Sequence, residues 1–104
     1  MEIVLIDTFI VPEESKAKFL EAYERTAKIL KTLPGFVEGY IYEKRDGDSK
    51  YNFLTTAVWK DDEAFKNAKQ AISAEYQKLG INPKEIVEKL NIKQIRSIYE
   101  RSAY

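Results

Sequence analysis

The chain has 104 residues, 44% of them hydrophobic, enough for one domain spanning 1–104 and too few for two. Its 17 basic and 17 acidic side chains cancel, and no basic block stands out, which argues against nucleic acid or an anionic membrane as a partner. Cysteine and histidine are both absent, so disulfides, thiolate metal sites, cysteine nucleophiles and the commonest neutral-pH base and haem ligand are excluded.

Residues 2–11 are rich in β-branched and aromatic side chains and read as a strand. Ile3, Leu5 and Phe9 fall on one face, Val4, Ile6 and Ile10 on the other, so both faces need cover. Pro12 and the acidic pair Glu13-Glu14 open a helix, and Phe19, Leu20, Tyr23, Ala27 and Leu30 recur at helical spacing along it. Leu33-Pro34-Gly35 ends it. Residues 36–45 and 51–59 read as two further strands, joined by a turn carrying Asp46-Gly47 and therefore antiparallel. Asp61-Asp62-Glu63 caps a second helix with the apolar stripe Ala64, Phe65, Ala68, Ile72, Tyr76 and Leu79, ended by Gly80. Three consecutive acidic residues at a helix start do not converge on a cation, so this cluster is a cap and not a metal site. Asn82-Pro83 begins a short helix reaching about Leu90, and residues 92–99 form the last strand.

The order β-α-β-β-α-(short α)-β is the split βαβ arrangement of the α+β, ferredoxin-like fold: a four-stranded antiparallel sheet with its helices on one face. The uncovered face would still show apolar side chains, and a second copy packed sheet to sheet is the economical cover. A homodimer is therefore expected. The N-terminus runs straight into a strand without a basic leader, and no run approaches a membrane span, so a cytoplasmic protein is expected.

Two segments carry a family resemblance. They are Leu33-Pro34-Gly35-Phe36 and the stretch Thr56-Ala57-Val58-Trp59-Lys60-Asp61-Asp62-Glu63-Ala64-Phe65. With the element order, they resemble the antibiotic biosynthesis monooxygenase family of dimeric α+β-barrel proteins, over nearly the whole chain. The resemblance implies a homodimer whose two sheets form a barrel, and a ligand pocket between helices and sheet in each subunit. It also implies a choice among activities: cofactor-independent oxygenation of polycyclic phenols, oxidation of quinols, or haem degradation. The haem-degrading branch relies on an Asn in strand one and a Trp and a His in helix two. Here the first two positions fall at Asp7 and about Ala68, and the His has no counterpart. Haem degradation is not expected.

Each candidate site residue carries a chemical reading and a structural one. Trp59 is either the wall of a flat aromatic site or a packing residue beside Phe65. Asp7, a carboxylate in an apolar strand, is either a base toward a phenol or a paired edge residue. Tyr23 and Tyr40 are either pocket walls and hydroxyl donors or core and interface residues. Asn52 and Thr56 share a strand face and either orient a substrate carbonyl or satisfy backbone groups. Arg96, between Ile95 and Ile98, either holds an oxyanion or is paired, even across a dimer. Asp7 and Trp59 are the expected catalytic pair; Asn52, Thr56, Arg96, Tyr23 and Tyr40 are the expected substrate contacts. The leading expectation is a monooxygenase acting without metal or cofactor on a phenolic or quinol-like aromatic. The alternatives are a non-catalytic dimer that binds a small hydrophobic molecule, and a dimer with a purely structural role.

Overall fold

The alternating apolar residues at the start of the chain become β1 (Ile3–Ile10) in the computed structural model, which describes residues 1–104. After it come α1 (Lys16–Leu30), β2 (Phe36–Glu43), β3 (Phe53–Trp59), α2 (Asp62–Leu79), α3 (Pro83–Lys89) and β4 (Lys93–Glu100). The sheet order is β2-β3-β1-β4, with every neighbouring pair antiparallel. This is the four-stranded ferredoxin-like fold with its helices on one side.

Local chemistry sets the helix ends. Asp61, in extended conformation, accepts a hydrogen bond from Ala64 N–H at 2.8 Å and so satisfies one orphan donor at the start of α2. Gly80 closes α2 in the left-handed conformation at φ 70°. Asn82 caps α3 by accepting from Lys84 N–H, with Pro83 in the first position. The sequence predicts a helix running from Pro12. Instead Glu13–Ser15 form a separate turn of 3-10 helix, and α1 begins at Lys16. The buried Ser15 hydroxyl donates to Leu90 C=O at 2.6 Å, tying the start of α1 to the end of α3. Leu20 and Leu79, expected on the apolar stripes, lie at their edges and are exposed.

The two segments that carry the resemblance meet in space. Lys60 N–H donates to Gly35 C=O at 2.8 Å. Gly35 has φ +82°, and a Cβ there would sit 2.4 Å from Ala64 Cβ. A glycine is required on both counts: the backbone is left-handed, and the start of α2 packs directly on it.

The register divides the sheet's side chains cleanly. Leu5, Asp7 and Phe9 of β1 face the helices, with Thr55, Ala57 and Trp59 of β3 and Gln94 and Arg96 of β4 beside them. Val4, Ile6, Ile10, Leu54, Val58, Tyr40, Tyr42, Ile95 and Tyr99 take the opposite parity and form the outer face. No helix covers that face, and the domain is a slab 41 × 37 × 17 Å. Tyr40, Tyr42, Ile95 and Tyr99 are each about half exposed.

Between sheet and helices the interior is hollow. Only 12 of the 104 residues are buried, and the buried apolar ones fall mainly into two separate clusters. Phe9, Val11, Phe19, Phe53 and Ile92 fill one end, with Phe19 packed against Phe9 at 4.8 Å and Phe53 at 4.9 Å. Trp59, Phe65 and Ala68 fill the other, where Phe36 meets Trp59 edge-on at 5.3 Å. No helix is long and apolar enough to cross a membrane.

Candidate functional site

The gap between the two clusters is a cavity of about 710 Å³, within the range of small-molecule sites. The sheet forms its floor and α1, α2 and α3 its roof. Its lining is mostly apolar: Leu5, Phe36, Ala57, Ala27, Leu30, Ile72 and Ile86 are examples. Polar side chains are interspersed among them, and strand parity explains the charged pair on the floor.

Asp7 lies opposite Thr55 on one side and Arg96 on the other, so all three side chains point toward the helices. Arg96 Nε donates to Asp7 Oδ1 at 2.9 Å and Nη2 donates to Oδ2 at 3.0 Å, a two-pronged ion pair. The Asp7 side chain is 8% exposed and that of Arg96 is 56% exposed. The carboxylate is therefore held within the wall, while its cation reaches toward the open edge of β4. The hydrogen bonds to Asp7 raise the Arg96 pKa above its ordinary value; burial opposes them, and the charge of Asp7 and nearby Tyr76 add smaller contributions. Across the cavity, Tyr23 projects from α1, and burial raises its pKa above the ordinary 10.0, which keeps the phenol neutral. Thr26 of α1 and Tyr76 of α2 share a hydroxyl–hydroxyl hydrogen bond that bridges the two helices at the cavity wall.

The structure brings Asp7, Arg96, Tyr23 and Trp59 to one cavity. Trp59 both packs in the core and borders the cavity. It is 2% exposed and packed against Phe36 and Phe65, and it also lines the cavity at that end. Arg96 is paired within its own chain. The other candidates direct their polar groups elsewhere. Asn52 precedes β3 and lies outside the cavity; its Oδ1 accepts from Val11 N–H and its Nδ2 donates to Val11 C=O, both at 2.8 Å. It acts as a surrogate strand partner, the backbone-satisfying alternative. Thr56 borders the cavity beside Gly39, but its hydroxyl accepts from Tyr40 N–H at 3.2 Å, on the outer face. Tyr40 is 53% exposed on that outer face, away from the cavity. Thr26 was not among the expected site residues; its signal was a hydroxyl at a helical step within the apolar stripe of α1, while Tyr76 was expected on the stripe of α2. The structure holds no group of carboxylates arranged for a metal ion.

Comparison with known proteins agrees with this architecture. The family model described as antibiotic biosynthesis monooxygenase matches residues 2–78. Deoxynogalonate monooxygenase of Streptomyces nogalater is 34% identical over 67 residues, covering 64% of this chain and 54% of the relative. The match thus spans about half the length of that curated relative. Among solved structures, a Shewanella loihica PV-4 protein described provisionally as a monooxygenase superposes with a TM-score of 0.75 at 19% identity, covering 99% of this chain and 96% of the other. SnoaB, a cofactor-independent oxygenase from Streptomyces nogalater, gives 0.68 at 21% identity, covering 99% and 95%. At those identities the two structures establish a shared fold.

Proposed function

The chain belongs to the antibiotic biosynthesis monooxygenase family, and from that premise we propose that it is a cofactor-independent monooxygenase of a phenolic or quinol-like aromatic bound in the cavity. The observation that carries the reading is the cavity itself: largely apolar walls ending in Trp59, with the Asp7–Arg96 pair and the neutral Tyr23 phenol among its polar groups. The activities of SnoaB and of the deoxynogalonate enzyme support it.

The chemistry needs only substrate and dioxygen. The flat ring lies against Trp59, and Tyr23 donates a hydrogen bond to the substrate oxygen. Asp7 accepts the acidic proton of the substrate, and Arg96 balances the charge. The electron-rich anion passes one electron to dioxygen. The substrate radical and superoxide then combine, forming a carbon–oxygen bond, and the peroxide takes the proton back from Asp7. Loss of water from this hydroperoxide leaves a carbonyl: one oxygen atom stays in the product, the other leaves as water, and the substrate supplies all the electrons. The protein contributes position and fixed charge.

The family's sheet-to-sheet dimer supports a homodimer through the outer face, where Val4, Ile6, Leu54, Val58, Ile95 and Tyr99 form the uncovered patch. Sedimentation should give twice the chain mass at micromolar concentration; a monodisperse monomer contradicts it.

One observation favours a second reading, a non-catalytic binder of the same ligands: both oxygens of Asp7 are already engaged by Arg96. Dioxygen uptake separates the two readings. The purified protein is given anthrones, naphthols and reduced quinones without metal or flavin, beside the Asp7→Asn/Trp59→Phe variant. Uptake above autoxidation that is lost in the variant supports the oxygenase. Binding of these compounds without uptake by either protein supports the binder.

A further inference from the structure

α3 forms part of the roof of the cavity yet is weakly held. None of its residues is buried. Beyond the bonds that close α2 and those within the segment itself, residues 81–92 make one hydrogen bond to the rest of the chain: the Ser15 hydroxyl donates to Leu90 C=O at 2.6 Å. Lys84, Glu85, Glu88 and Lys89 form its outer side, all exposed and none in an ion pair. Its inner side is apolar: Ile86, Val87 and Leu90 line the cavity, and Val87 and Leu90 also rest on the cluster around Phe19. Left-handed residues stand at both ends of the segment, Gly80 at φ 70° and Asn91 at φ 55°, the latter the only non-glycine residue in that conformation. Hinges form at such element-terminal positions, where one or two residues absorb the change in backbone angle. Gln94 and Arg96 of β4 line the cavity and are exposed, so the cavity meets water along that strand. α3 runs straight into the same strand through Asn91 and Ile92.

We infer that α3 is the lid of the cavity, turning on Gly80 and Asn91 and latched by the Ser15–Leu90 bond, and that ligand enters and leaves beneath it. This rests on the reading of the cavity as a ligand site and adds how that site opens. The lid moves without disturbing the frame, because β4 is held to β1 by its own register from Lys93 to Glu100. Ser15 does not line the cavity, so the latch acts on opening and not on ligand contact. Closed, the apolar side of α3 keeps water from what lies below.

The test has two readouts, each on the full-length protein. In hydrogen exchange without ligand, the amides of Ile86 and Leu90 should exchange at least about tenfold faster than those of β1, through local opening. In Ser15→Ala they should exchange about fivefold faster again, with β1 unchanged, which also shows that the variant folds. In stopped flow, 2-methyl-1,4-naphthoquinone quenches the single tryptophan, Trp59, from within the cavity. Ser15→Ala should raise the entry and exit rates together, each about fivefold, and leave the dissociation constant within about twofold. Thr32→Ala, which loses a similar bond from a side chain to Ile29 C=O at the end of α1, should change neither rate. Amides of α3 that exchange as slowly as those of β1 overturn the lid. So do quenching rates that Ser15→Ala leaves unchanged, or a faster exit alone, which would mean a weakened site and not a freed lid. No quenching in either protein overturns the lid and the aromatic site together. Latch-dependent rates without dioxygen uptake from any phenol overturn the oxygenase reading alone.

Discussion

Substituting Arg96 by Ala leaves the Asp7 carboxylate in the wall of the cavity without its cation. Removing one member of a fully buried ion pair costs about 3–5 kcal/mol, and an exposed pair contributes about 0–1 kcal/mol. Here the carboxylate side chain is 8% exposed, but its cation is 56% exposed, so water reaches one side of the pair and screens it. The two-pronged geometry, at 2.9 and 3.0 Å, restores part of that loss. A destabilisation of about 2 kcal/mol follows. With a urea dependence of about 1–2 kcal/mol per molar for a domain of this size, the unfolding midpoint should fall by about 1–2 M. Protein concentration is held fixed throughout, because the proposed dimer would add to apparent stability. Asp7→Asn keeps the shape and removes the charge. The Asp7→Asn/Arg96→Ala double variant should be more stable than the two single losses added together, by about 1 kcal/mol. A midpoint for Arg96→Ala within about 0.3 M of the parent refutes the reasoning, since it would mean that water already solvates the carboxylate.

Gly35→Ala should destabilise by about 2–4 kcal/mol, since it combines a left-handed backbone with a clash against Ala64. Gly80→Ala, also left-handed but facing open space, should cost about 1 kcal/mol; equal losses in urea unfolding would show that the Ala64 contact is immaterial. Asn52→Ala breaks both bonds to the Val11 backbone and should cost about 2 kcal/mol, yet leave aromatic-ligand affinity unchanged by calorimetry, because Asn52 lies outside the cavity. Tyr23 should be among the last tyrosines to ionise in an ultraviolet titration, and Tyr23→Phe should remove that late component. The folded phenol is raised above 10.0, so its contribution to stability is complete below that pH and is lost as pH rises from there through the folded value. A Tyr23→Phe titration superimposable on the parent's above pH 10.0 would contradict this.

How far the sequence could be read follows from the range of each interaction. Strand alternation, helical stripes and caps are local, and Asp61, Gly80 and Asn82 act within four residues of where they stand. The element order and the exposed outer face came from such patterns. Strand parity also placed Asp7 on the same face as Leu5 and Phe9. The partner of Asp7 was beyond reach, because Arg96 is 89 positions away and the offset between β1 and β4 has no local signal. For the same reason the bond from Ser15 to Leu90 and the use of Asn52 as a partner for Val11 were hidden. Asn52 and Thr56 do follow one alternation in sequence, but Asn52 lies just before β3 begins, and there its side chain bonds to Val11 at the end of β1. The cavity was implied by the family resemblance but had no signal in the residue pattern itself. Phe19 and Phe65 lie on stripes that read as continuous core, and only their packing into separate clusters leaves the space between them empty.

The central claim is that oxygenation takes place in that space. Ala22 and Ala27 of α1 both line it, and Ala22→Trp/Ala27→Trp puts two indole rings where the substrate should lie. The measurement is dioxygen uptake by parent and variant with the same phenol, once urea unfolding has shown that the variant folds. The account predicts uptake above autoxidation by the parent and none by the variant. A folded variant that consumes dioxygen as fast as the parent would contradict it.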